Sequence, residues 1–243
     1  MAVRWFDTHI HLDRYAAADR DAMLRRARAT GVTRLLSVST SCASARQTAA
    51  LPAAILKAVG VHPRAAAEGP CAALVALARA PGVVAIGETG FDAAGPPFAR
   101  QEAVFRAQCA LARQHDLALV LHIAGAGAWQ ALMAAADALD GLRVVRHYFM
   151  GDTAQADWHA ARGHYLSFGR PLLREPALQR LAPTYPPELL LIETDTYPLP
   201  GRATEPRDAA ALGAALARLC GWTPADSAAR LWQNGARAFR LTD

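Results

Sequence analysis

Asp7-Thr8-His9-Ile10-His11 closes the first apolar run of this chain and sets two imidazoles two residues apart. On a β-strand that spacing points both side chains to one face. Two imidazoles on one face can grip a metal ion, and Asp7 and Thr8 are placed to orient them from behind. The pattern then repeats along the chain. Glu88 follows the run Val83–Gly87, His122 follows Ala118–Leu121, His147 follows Val144–Arg146, and Asp195 follows Leu189–Glu193. Barrel enzymes carry their chemistry at the C-terminal ends of their strands. Four histidines and two carboxylates in that position suit two divalent metal ions, with Glu88 as a carboxylate able to bridge them.

Around these ends, short apolar runs alternate with longer Ala/Leu/Arg-rich segments of helical period. The expected strands are Trp5–His9, Arg34–Ser39, Ile55–Val61, Val83–Gly87, Ala118–Leu121, Leu142–Arg146, Tyr165–Phe168 and Leu189–Glu193. Helical patterns fill the gaps, and a last helix, Pro224–Phe239, closes the chain. Eight strand–helix units in series favour an α/β fold of the parallel (β/α)8 TIM-barrel type with one extra C-terminal helix. An open doubly wound sheet is the rival, since strand order cannot be read from one sequence. No linker divides residues 1–243, so one domain is expected.

Composition narrows the function. The chain has 243 residues, 53% of them hydrophobic, and a formal net charge of +5. That charge favours anionic ligands over cationic ones, but it is spread along the chain without a dense basic run. The four cysteines, Cys42, Cys71, Cys109 and Cys220, show no C-x-x-C spacing, which disfavours a zinc-finger-like site and a disulfide framework. No apolar run approaches membrane-spanning length and no signal core opens the chain, so a cytoplasmic protein is expected. Of the remaining polar residues, Asp13 is expected to cap the first helix. His62, at the end of the third strand, reads as a substrate contact or a support for the ligands. His115, His159 and His164 lie near helix ends, where solvated or capping roles are the default.

Taken together, the residues resemble the TatD family of metal-dependent hydrolases among the amidohydrolase-like barrels. Asp7–Asp13 matches its D-x-H-x-H-x-D opening, Gly60-Val61-His62-Pro63 its G-x-H-P, and Gly87–Asp92 its G-E-x-G-L-D. Gln101, Glu102 and Phe105 match a helix start, Glu193-Thr194-Asp195 the E-T-D, and Asn234 with Phe239 the closing helix. The resemblance implies a barrel with two divalent ions (Mg²⁺, Mn²⁺ or Zn²⁺) that hydrolyses phosphodiesters, as a 3'-5' exodeoxyribonuclease on single-stranded or frayed DNA. It implies that His9, His11, Glu88 and Asp195 hold one ion and that Glu88, His122 and His147 hold the other. Asp195 is then the candidate general base and Glu88 the second catalytic carboxylate.

Two departures concern the substrate. Family members carry an arginine two positions after the residue matching His122, where this chain has Ala124. Arg146, Arg170 and Arg202 are candidates for a substitute, with His62, Arg146 and Arg202 as expected substrate contacts. Tyr148 stands where the family favours a smaller residue. The alternative reading is a small-molecule amidohydrolase or phosphoesterase on the same metal site, and a third is a barrel whose metal is purely structural. DNA is the expected partner, and no protein partner is readable.

Overall fold

The structure, a computed structural model, describes residues 3–199 and 204–242. In chain order the elements are β1 (Trp5–Ile10), α1 (Ala17–Ala29), β2 (Val32–Val38), α2 (Cys42–Ala49), β3 (Leu56–Val59), α3 (Leu74–Leu77), β4 (Val83–Asp92) and α4 (Phe98–Gln114). They continue with β5 (Ala118–Ala124), α5 (Ala128–Ala134), β6 (Val144–Arg146), α6 (Thr153–Ala160), β7 (Tyr165–Phe168), α7 (Pro176–Leu181), β8 (Leu190–Ile192), α8 (Ala209–Cys220) and α9 (Pro224–Ala238). The eight strands form one sheet in the order β1 to β8. Strands buried on both faces read as near-continuous apolar runs, which is why the runs were visible in sequence. The fold is the expected α/β barrel type with its extra C-terminal helix, and the open-sheet rival is set aside. Among the described residues, no helix is long and apolar enough to cross a membrane.

The chain divides into two compact units, residues 1–36 with 147–243, and residues 37–146. In the first, β1 lies beside the end of β8. His11 N–H donates to the Thr196 carbonyl at 2.9 Å, Asp195 N–H donates to the His9 carbonyl at 3.0 Å, and Ile10 bridges in parallel to Thr196. Buried hydroxyls tighten this seam. Thr8 Oγ1 donates to the Ile192 carbonyl at 2.9 Å and lies 2.9 Å from Ser167 Oγ. The closing helix α9 starts on a Thr223 cap that accepts from Asp226 N–H at 3.1 Å, with Pro224 at its first position. It is anchored by Asn234, whose Nδ2 donates to the Pro187 and Leu190 carbonyls, both at 2.8 Å. This anchor is why an asparagine sits on the buried face of the helix.

In the second unit β4 is the long element. It pairs in parallel with β3 and β5, and its register with β5 shifts between Ile86 and Thr89. Gly87 and Gly90, with φ of 143° and 141°, make that irregularity possible. A side chain at Gly87 would meet the Val120 carbonyl at 2.7 Å, and one at Gly90 would collide with the His122 carbonyl. β4 therefore continues past the expected stop at Gly87, and Glu88 sits within the strand rather than at its end. β5 is longer than expected for the same reason, so His122 too lies inside its strand. Between β3 and β4 the helical pattern gives only the single turn α3, and Cys71 lies before it, joined to Cys42 in a disulfide with a Cα–Cα distance of 5.7 Å. A disulfide framework is not expected from the cysteine spacing, yet the chain folds back across a sequence separation of 29 to bring these two sulfurs together.

Candidate metal centre

In the first unit, strand alternation and the β1–β8 seam bring four of the expected residues together. His9 and His11 lie on one side of β1 with ring centroids 5.0 Å apart, and His147, just after β6, stacks on His9 at 3.9 Å. Asp195 Oδ1 is 3.4 Å from His11 Nε2 and 3.9 Å from His9 Nε2. His9, His11 and Asp195 each offer a ligand atom within 4.8 Å of the others. Asp195 holds a left-handed φ of 49°, a conformation that costs a non-glycine residue about 1–3 kcal/mol and collects at functional sites. Burial alone would raise its carboxyl pKa. The hydrogen bond with His11 and the charges of His9, His11 and His147 outweigh burial and hold it below the usual range.

Two buried carboxylates support these ligands. Glu193 Oε1 takes His147 Nδ1 at 3.0 Å and the Tyr148 N–H at 2.9 Å. Its grip fixes the imidazole and turns Nε2 outward, the arrangement in which a carboxylate orients a metal-binding histidine. Asp7 takes Thr194 N–H at 2.9 Å and Thr194 Oγ1 at 2.6 Å. Burial pushes Asp7 up to about 8 although these donors pull the other way. Asp7 thus braces the segment that leads into Asp195.

The second unit repeats the device. His122 Nε2 lies 3.0 Å from Asp92 Oδ2, and its Nδ1 lies 2.7 Å from Glu88 Oε1. Asp92 is to His122 what Glu193 is to His147. Burial alone would raise Asp92, but the His122 bond, the Ala94 N–H, the His122 charge and Arg64 together hold it well below the usual carboxylate range. His62 closes the group with Nε2 at 3.4 Å from the same Glu88 oxygen. Its Nδ1 accepts from Arg64 N–H at 3.0 Å, so the neutral ring carries its proton on Nε2 and faces Glu88 as a donor. His62, Asp92 and His122 also each offer a ligand atom within 4.8 Å of the others. The donor set of imidazole nitrogens and carboxylate oxygens, with two of the imidazoles locked by carboxylates, fits divalent cations of the zinc or manganese kind.

Other expectations change. Arg146 is only 3% exposed, and its Nη2 donates to the Ile123 carbonyl at 2.7 Å. It ties β6 to β5 and does not reach outward to a substrate, because its place in the β5–β6 ladder, opposite Leu121, sets it in the core. Arg202 lies outside the described residues. Asp13 belongs to a 3-10 turn, Leu12–Arg14, and α1 starts on Ala16 without a side-chain cap. His159 and His164 are buried and face each other through Nδ1 at 3.0 Å, so they are core residues and not solvated helix ends. The supporting roles of Asp92 and Glu193 went unread in sequence. Their signal was present, since each is a carboxylate within four residues of a ligand-type residue near the end of an apolar run.

Comparison with known proteins bears on this geometry. The family model described as "TatD related DNase" matches residues 6–240. A metal-dependent hydrolase TatD of Mycobacterium tuberculosis, itself uncharacterised, is 32% identical, covering 97% of each chain. The 3'-5' ssDNA/RNA exonuclease TatD of Cronobacter turicensis is 38% identical over 79% of this chain and 77% of its own. Among solved structures, the crystal structure of YjjV, a TatD homologue from Escherichia coli K12, superposes with a TM-score of 0.86 at 27% identity, covering all of both chains.

Proposed function

From the premise that this chain belongs to the family of TatD-related DNases, we propose that it is a metal-dependent hydrolase of phosphodiester bonds acting on single-stranded or frayed DNA from the 3' end. His9, His11, Glu88, His122, His147 and Asp195 are the proposed ligands of two divalent ions, Mg²⁺, Mn²⁺ or Zn²⁺. Bound ions of this kind polarise a phosphoryl oxygen and lower the pKa of water. The observation that carries the reading is the repeated pairing of a buried carboxylate with one ring nitrogen of a histidine, Glu193 on His147 and Asp92 on His122. Such pairing costs desolvation in both units and has its use in fixing a histidine for a cation, with His147 offering its Nε2 and His122 sharing its Nδ1 side with Glu88, itself a proposed ligand.

The protein's own groups then have distinct tasks. Asp195, ionised and with a side chain one-fifth exposed, accepts the proton of the attacking water. Glu193 and Asp92 keep His147 and His122 in single orientations. His62 donates its Nε2 proton towards Glu88 and steadies that carboxylate.

The test is hydrolysis of end-labelled single-stranded DNA by metal-stripped protein resupplied with Mg²⁺, Mn²⁺ or Zn²⁺. Shortening from the 3' end is expected, with losses of about 10²–10⁴ in rate for Asp195→Asn and no activity for Glu88→Ala. Wild type that binds metal yet leaves DNA and RNA intact would sink the nuclease reading. Turnover of small esters or amides under those conditions would then establish the alternative.

A further inference from the structure

We propose that Arg64 is a phosphate-binding residue that seats an anionic substrate group beside His122. This inference rests on the phosphodiesterase reading above and names one of its substrate contacts. Arg64 is the second residue of the 3-10 turn Pro63–Glu68, directly after His62. Its side chain is 62% exposed, yet its Nε donates at 2.8 Å to Oδ2 of Asp92, which is 2% exposed. The same Oδ2 lies 3.0 Å from His122 Nε2, so the guanidinium and a proposed metal ligand converge on one oxygen.

Arg64 is held differently from Arg106 and Arg26. Arg106 spends Nη1 and Nη2 on the two oxygens of Asp137, at 2.8 and 3.0 Å. Arg26 gives Nε and Nη2 to the Glu205 carboxylate. Arg64 gives its carboxylate only Nε, and its two Nη groups have no hydrogen-bond partner among the described residues. Asp92 has no further demand to make of it, because Oδ1 already takes Ala94 N–H at 2.8 Å. A guanidinium anchored by Nε presents a planar pair of N–H donors, the geometry that matches two oxygens of a phosphate.

The neighbouring strand ends carry small residues. Asp92 pairs in register with Ala124 on β5, and the residues that follow it are Ala93 and Ala94, both exposed. The residues at these strand ends are small, which limits what their side chains can place over the fork. Arg64 also donates its backbone N–H to His62, so the turn that aims the guanidinium is the turn that fixes the His62 ring.

The experiment is calorimetric titration of metal-loaded protein with inorganic phosphate, for wild type, Arg64→Gln and Arg64→Lys. Bound metal is measured for each, together with kinetics on bis(p-nitrophenyl) phosphate and on the neutral ester p-nitrophenyl acetate. The expected result is phosphate affinity weakened about 10- to 100-fold in Arg64→Gln. Arg64→Lys should recover part of it, because the charge returns without the fork. Metal content stays at the wild-type level, and the diester KM rises while turnover of the neutral ester does not change. Wild-type protein that binds no phosphate, or phosphate affinity unmoved in Arg64→Gln, overturns the inference. So does a fall in metal content, which would make Arg64 a support for Asp92 alone. If phosphate binding follows Arg64 but no diester is cleaved, the phosphate site stands and the phosphodiesterase reading fails.

Discussion

The two ligand clusters solve one problem with different amounts of shielding. In the first unit His9 is fully buried, His147 is 3% exposed, and the carboxylate that locks His147 is sealed from solvent. In the second, the side chains of His62 and His122 keep 13% and 15% of their exposure, and the chain of bonds from His122 runs through Asp92 to an arginine at the surface. Burial holds the first cluster in shape, since few rotamers fit a packed interior. The second is held by directed hydrogen bonds on a distorted strand, and it stays open to an incoming group.

This contrast can be broken most decisively in the second unit. The Cys42–Cys71 bond closes a loop that contains β3, His62 and Arg64, and nothing comparable exists among the described residues of the first unit. Closing a loop of that length contributes on the order of 3–4 kcal/mol in the chain-entropy account. Cys42→Ser, or full reduction, should therefore lower the melting temperature by several degrees and raise hydrogen exchange within residues 37–146 before the rest. Equal protection of both units after reduction would show that the loop has no separate hold on this cluster.

A somewhat smaller effect belongs to the first unit. Burial, with the nearby Arg162 charge, lowers His164 to about 4 from an ordinary 6.5. The unfolded chain therefore takes up a proton below pH 6.5 that the folded chain refuses until about pH 4. Stability from this group is complete above 6.5 and is lost as the pH falls through that window, up to about 3 kcal/mol at its lower end. His159 Nδ1 lies 3.0 Å away and the Tyr185 hydroxyl donates to the His164 carbonyl, so the ring cannot turn to solvent. Denaturant midpoints measured between pH 7.5 and 4.5 should fall in wild type, and the slope should flatten in His164→Asn. A slope that survives this substitution would assign the acid sensitivity elsewhere.

The finest distinction concerns the two supporting carboxylates. Glu193→Gln and Asp92→Asn should each weaken metal binding about 10- to 100-fold. Since Glu193 is sealed and also holds the Tyr148 N–H, its substitution should cost more than that of Asp92, whose place the Ala94 N–H partly maintains. Competition with a chelating dye reads both affinities. The reverse order would mean that burial is not what distinguishes the clusters.

Much of this was legible from the chain alone. His9, His11, His147 and Asp195 announced themselves because a polar residue that ends an apolar run must be justified by a partner or a ligand. The eight runs and their spacing specified the fold type for a similar reason, since a parallel strand buried on both faces leaves no polar positions to confuse its ends. What escaped were relations between residues distant in sequence. Arg146 looked like a clamp until its place in the ladder with β5 showed it buried. Cys42 and Cys71 looked isolated until the chain folded back across their sequence separation of 29.

By itself, then, the sequence determined the residue types, the side of β1 that carries two imidazoles, and the order of strands and helices, because these follow from local periodicity. Only the tertiary structure decided that Glu88 and His122 lie within strands, that Asp92 and Glu193 each hold a histidine, and that Arg64 is anchored by one nitrogen with its fork exposed. Those facts depend on register between strands and on which buried donor reaches which carboxylate. Such pairings are settled by packing and desolvation across the fold, and no local pattern encodes them.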